Sequence, residues 1–147
     1  MTAATRLAEL GVSLPAVAAP LAAYVPAVRT GNLVYTSGQL PLAGGELIRT
    51  GKVGAEVSPE DAKAAARTCA LNALAAIDAL VGIYSVVRVV KVVGFVASSP
   101  GFSGQPGVVN GASEFLGEVF GEAGSHARSA VGVSELPLDA PVEVELI

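Results

Sequence analysis

The sequence predicts an α+β domain: a β-sheet with both of its long helices packed on one face. Two segments repeat apolar residues at helical spacing, and they are separated and flanked by short runs rich in β-branched residues. The resulting order is strand, strand, helix, strand, helix, strand, strand. A chain of 147 residues, 52% apolar and without internal repeats, fits one domain over residues 1–147, with residues 1–23 as an N-terminal lead-in.

Residues 3–10 can form a short helix ending at Gly11, followed by a Pro/Ala-rich connection. Residues 24–30 and 32–38 form hairpin strands around Thr30, Gly31 and Asn32, with Pro26 placing the first near an edge. The Gly-rich stretch 43–54 is a loop with one short strand, and its glycines do not match the phosphate-binding spacing. Ser58, Pro59, Glu60 and Asp61 start a helix: Ser caps it, Pro fits the first turn, and the acids suit its positive end. That helix should run to about Leu80 with Ala62, Ala66, Ala70, Ala73 and Ile77 on the buried face. Residues 86–98, apolar on both faces apart from Arg88 and Lys91, predict a central strand. Val109, Ala112, Leu116, Val119 and Phe120 mark the second helix, stopped by Gly121 and Gly124. Residues 128–133 and 142–147 alternate as two last strands.

Composition narrows the function. A single Cys excludes an intrachain disulfide and fits a reducing cytoplasm, and one Cys with one His cannot supply a structural zinc site, so no metal is expected. A formal charge of -4 is the wrong sign for a protein whose main partner is nucleic acid. Arg6 and Glu9 interrupt any secretory core, so export is not indicated. Residues 68–87 are long enough for a membrane span, but Asp78 sits in mid-segment and the composition shifts from Ala/Leu to Val near Gly82, which reads as a helix giving way to a strand. Only 15% of residues are charged, against about 25% in typical domains. Such a monomer would expose apolar patches, and the sheet face without helices needs cover, so a homo-oligomer is expected.

Arg128, Ala130 and Gly132 share one strand face, and small residues beside a guanidinium leave a hollow in which a planar fork can grip a carboxylate. An edge-strand Arg in solvent satisfies the same pattern. Glu143 and Glu145 share a face and could relay a proton to water, or simply lie on the wet side of a strand. Tyr24 and the turn from Thr36 to Gln39 offer an aromatic wall, a hydroxyl and close backbone approach, and are equally at home as hairpin punctuation. His126 reads as a loop histidine with no inferable partner, and Cys69 as a buried small hydrophobe.

Three segments, YVPAVRTGNLVYTSGQLP, VVKVVGFV and ARSAVGVSELPLDAPVEVELI, together resemble the reactive intermediate deaminase family, RidA or YjgF, over residues 24–147. The most specific pieces are TSGQ followed by Pro, and ARS followed by LP and a terminal strand of alternating Val and Glu. The resemblance implies a chorismate-mutase-like α+β fold with a mixed sheet, assembled as a homotrimer with ligand clefts between subunits. It implies hydrolysis of enamines and imines of the 2-aminoacrylate type to 2-oxo acids and ammonia, without a cofactor. By resemblance, Arg128 holds the substrate carboxylate, Glu143 activates water, and Tyr24, Ser37, Gly38, Asn110 and Ala130 line the cleft. Ala130 stands where the archetype has Cys, the loop ASSPGFSGQPG replaces an Asp-containing one, and the lead-in is longer, which marks a divergent branch. The alternative reading is a non-catalytic trimeric binder or sensor of small carboxylates. A ribonuclease reading, attached to some relatives, sits poorly with the acidic balance and single His.

Overall fold

A computed structural model describes residues 2–20 and 22–147; Met1 and Leu21, both in the expected lead-in, lie outside them. The lead-in is part of the fold. Its helix α1 (Ala3–Glu9) is capped by the Thr2 side chain, buries Leu7, and donates from Arg6 Nε to the Glu118 carbonyl at 2.8 Å.

The first hairpin pairs β1 (Ala27–Thr30) with β2 (Leu33–Thr36) in the register Thr30 to Leu33, which leaves Gly31 and Asn32 as its two-residue turn. The Gly-rich stretch holds two very short strands, β3 (Leu42–Ala43) and β4 (Glu46–Leu47), where the sequence pointed to one. The long helix α2 (Pro59–Val81) is capped by Ser58 Oγ accepting from the Asp61 N–H at 3.1 Å. It is long and apolar enough to cross a membrane, yet its alanine face is buried within the domain, with Ala62, Ala66, Ala70 and Ala73 fully enclosed. The second long helix, α3 (Gln105–Phe120), runs parallel to α2: Lys63 pairs with Glu114, and Arg67 with Glu118, each at 3.0 Å. Gly111 permits this approach, because a methyl there would overlap the Lys63 carbonyl oxygen.

The central sheet has the order β6 (Ala127–Val133), β5 (Lys91–Ala97), β7 (Val142–Leu146), with β6 parallel and β7 antiparallel to β5. It is therefore mixed, and β5 is central as expected. The strand is shorter than its β-prone run, however. Residues 86–90 precede it, and Val87 is 85% exposed, because a 3-10 turn at Ile83–Ser85 carries the chain around the end of the helix layer first. Bridging hydrogen bonds between Gln39 and Val144, at 2.8 and 3.0 Å, join the hairpin side to β7.

Register assigns the faces. Val92 and Val96 of β5, with Val142, Val144 and Leu146 of β7, are buried beneath the helices. Val93 and Phe95 point the other way, opposite Glu145 and Glu143, on a face that no helix covers. Val131 on β6 is 45% exposed, and Val28 and Tyr35, paired across the first hairpin, are also open. The uncovered face is thus apolar at several positions. Cys69 is fully buried with its thiol against the Val142 carbonyl, and burial holds it well above the ordinary thiol range.

Candidate functional site

Two clusters contain the candidate residues. The first is built on β6 and α3. Arg128 pairs in register with the buried Val92, so its side chain lies on the helix side and reaches α3. Its Nη1 donates to Asn110 Oδ1 at 2.7 Å and to Ser113 Oγ at 3.2 Å, and its Nη2 donates to the Pro106 carbonyl at 3.3 Å. It is half-buried against α3, and among the described residues it makes no ion pair with a Glu. Three hydrogen bonds thus engage Nη1 and Nη2, and among the described residues none is made by Nε, which shares an edge of the guanidinium with Nη2.

The hollow beside it is smaller than the sequence pattern implied. Ala130 packs against the core, while the space above Gly132 is taken by the Gln105 amide, which donates to Ser98 Oγ and the Phe102 carbonyl. Gln105 comes from the end of the loop that departs from the archetype, so that loop narrows the pocket.

His126, read from sequence as a loop histidine with no inferable partner, belongs to this cluster. Its Nδ1 lies 2.6 Å from the Gly124 carbonyl and its Nε2 lies 2.8 Å from Ser113 Oγ. A carbonyl only accepts, so Nδ1 carries the proton of the neutral ring and Nε2 accepts from the Ser113 hydroxyl. Ser113 Oγ in turn accepts from Arg128. The hydrogen bonds run from Arg128 through Ser113 and His126 to the Gly124 carbonyl, which accepts the last. Sequence reasoning missed Ser113 and His126, although the signal was there: Asn110 and Ser113 are three apart on one helix face, and His126 and Arg128 are two apart on extended chain.

The second cluster surrounds Glu143. Its neighbour across β5 is Phe95, so Glu143 lies on the open face, opposite in direction to Arg128. Its carboxylate sits against Gly38, where a methyl would overlap Oε1. Half-buried beside Glu145, Glu143 has its pKa raised above 4.5, first by desolvation and then by the like charge. The chain around Gly38 is held firmly. Ser37 N–H donates to the Pro26 carbonyl and Ser37 Oγ to the Val25 carbonyl at 2.6 Å, while the buried Asn72 donates from Nδ2 to the carbonyls of Leu40 and Leu42. Tyr24 and Gly38 line one small cavity of about 30 Å³, walled by Ala18 to Pro20 of the lead-in and large enough for a single water.

The structure therefore brings Arg128 together with Asn110, with Ala130 on the same strand face, and Glu143 together with Gly38, while Tyr24 meets Gly38 across the small cavity and Ser37 is turned to the Val25 carbonyl. Within one chain it does not bring Arg128 to Glu143, because a residue paired with Val92 and one paired with Phe95 must face opposite sides of the sheet. Among the described residues no group of His, Cys, Asp or Glu could hold a metal ion.

Residues 4–147 match a family model described as "YjgF/chorismate_mutase-like, putative endoribonuclease". The chain is 46% identical over 146 residues to protein TCP17 of Trypanosoma cruzi, covering 98% of this chain and 91% of that protein. It superposes on the crystal structure of Atu1372 from Agrobacterium tumefaciens with a TM-score of 0.89 and 47% identity, covering 98% and 89% of the two chains. It superposes on E. coli TdcF with bound serine at a TM-score of 0.64 and 26% identity, covering 91% and 92%. The matched span takes in both clusters, and the chain belongs to the YjgF/chorismate mutase-like family.

Proposed function

We propose that the protein hydrolyses reactive enamines and imines derived from amino acids, of the 2-aminoacrylate type, to 2-oxo acids and ammonia. It acts as a homotrimer in which Arg128 of one copy faces Glu143 of another. The observation that carries this reading is how Arg128 is held: three hydrogen bonds tie Nη1 and Nη2 to the fold, and among the described residues none is made by Nε, which leaves its edge for a carboxylate. The serine bound to TdcF, a ligand with a carboxylate and an amine, supports the same substrate class.

The chemistry demands little. An imine carbon is already electrophilic, so a held carboxylate and a water placed by a base can suffice. The enamine reacts as its imine tautomer. Glu143 takes a proton from water as the water oxygen adds to the imine carbon and passes that proton to the nitrogen; the resulting carbinolamine moves its hydroxyl proton to the nitrogen as the C–N bond breaks, and ammonia leaves with a 2-oxo acid behind. The raised pKa of Glu143 brings it closer to a useful base. Incubation with freshly generated 2-aminoacrylate tests the reading: pyruvate and ammonia should appear faster than in buffer. Carboxylate binding without turnover would favour a binder or sensor instead.

The opposed faces of Arg128 and Glu143 and the open apolar face both call for a second copy. Sedimentation equilibrium at micromolar concentration should give three chain masses, and a stable monomer would overturn the assembly. A smaller change tests Glu143 placement. Gly38→Ala adds a methyl where Oε1 lies, and the flexible carboxylate end can move aside, so folding should survive within about 1 kcal/mol. Turnover should fall about tenfold or more, since small displacements of a reacting group are costly. Unchanged kcat would mean that the carboxylate position is immaterial.

A further inference from the structure

We propose that Ser113 and His126 form a positioning pair that sets which edge of the Arg128 guanidinium meets the substrate carboxylate. The inference rests on the reading of Arg128 as the carboxylate anchor and adds the control of its orientation.

A guanidinium offers a carboxylate two kinds of edge. One is the end-on pair of Nη1 and Nη2; the other is the side-on pair of Nε and Nη2. Here Nη1 donates to Asn110 Oδ1 at 2.7 Å and to Ser113 Oγ at 3.2 Å, and Nη2 donates to the Pro106 carbonyl at 3.3 Å. The end-on edge is closed, and the side-on edge remains. A substrate carboxylate can then dock bidentately in one orientation only.

The pair closes that edge through a fixed direction of hydrogen bonds. Ser113 has one proton to give. Were it directed at Arg128, both groups would be donors and the contact would be lost. His126 prevents this, because its Nδ1–H is committed to the Gly124 carbonyl at 2.6 Å and its Nε2, at 2.8 Å, takes the Ser113 proton. The lone pairs of Ser113 Oγ are left for Nη1. Gly124 is itself buried at the end of the 3-10 turn Gly121–Gly124, so the carbonyl at the far end of the chain is anchored in the fold. All of these contacts lie beside β6 and α3, and none involves Glu143 or Gly38.

Loss of either member weakens the hold on Nη1, and the guanidinium, now tied mainly through Asn110 and Pro106, can turn and offer its end-on edge as well. The carboxylate still finds a charged fork, so affinity is largely kept, but it now divides between two poses of which one points the imine carbon away from the attacking water. The signature is therefore in kcat. Ser113→Ala and His126→Ala should each lower kcat by about 10- to 100-fold, with KM within about threefold of wild type. The double variant should be no worse than either single one, because both cut the same chain. Ser113→Thr, which keeps the hydroxyl, should recover most of the loss. Losses confined to KM, or losses that multiply in the double variant, would overturn the pair's role.

Nitrogen-15 NMR of the Arg128 side chain, titrated with 2-oxobutyrate, separates this inference from the proposed reaction. In the wild type the ligand should shift Nε–H; in Ser113→Ala the response should spread to Nη1. If no imine is turned over but Nε–H responds in this way, the deaminase reading fails and the orientation role stands. A wild-type response at Nη1, or none at Arg128, overturns the orientation role.

Discussion

Arg128→Ala should abolish measurable binding of pyruvate and 2-oxobutyrate while the protein stays folded. Two charge-assisted hydrogen bonds to the ligand would be lost, and bonds to charged groups contribute about 1.5 to 3 kcal/mol each, so affinity should fall by at least tenfold and by as much as about four orders of magnitude. The groups left behind, Asn110 Oδ1, Ser113 Oγ and the Pro106 carbonyl, lie in partly exposed surroundings where water can replace the guanidinium. Arg128→Lys should be a partial rescue. An ammonium keeps the charge, yet its three donors cannot serve Asn110, Ser113, Pro106 and both carboxylate oxygens at once. Calorimetric titration of the three proteins checks this, and equal affinities would make Arg128 an ordinary strand charge. A surface Arg on β6 would give that second result, since its truncation changes little beyond about 0.5 kcal/mol of stability.

The fold was legible where local chemistry and burial agree. Ser58 and Pro59 can start a helix and do little else well, and the alanine spacing from Ala62 to Ala73 fixes which face is buried. The central strand was legible in place but not in length: a run of valines has the same β preference whether it is paired or, like Val87, held outside the sheet by a preceding turn. The two short strands around Gly44 and Gly45 carry too few residues for any periodicity to register. At the site, period-two reasoning put Arg128, Ala130 and Gly132 on one face, and it also put Glu143 and Glu145 on one face. It could not relate the two faces, because that depends on how β6 and β7 register against β5, a long-range pairing with no local signal. The same gap hid the Ser113 to His126 contact, which joins a helix to the residue just before a strand. A one-residue change in either register would have put Arg128 and Glu143 on the same side of the sheet.

Glu143→Gln should retain the shape of the cleft and remove its base, with kcat lower by about 100-fold or more. The amide fills the same space against Gly38, so a loss of activity reads the proton and not the packing. The pH dependence gives a sharper test. Burial, then the charge of Glu145, raises the Glu143 pKa above 4.5, and the base works only when ionised. Wild-type kcat/KM should therefore drop on the acid side with a midpoint above that of an unperturbed Glu, and this limb should vanish from the residual rate of the Gln variant. Stability should move in the opposite sense. Between pH 4.5 and the raised folded pKa the native state holds a proton that the unfolded chain has released, so wild-type stability falls as pH rises through that window. Gln carries no such proton, so melting curves of the variant should lack this decline and its Tm at neutral pH should equal or exceed that of the wild type. A Gln variant that is less stable at neutral pH yet fully active would mean that Glu143 is a structural carboxylate and that the water is activated elsewhere.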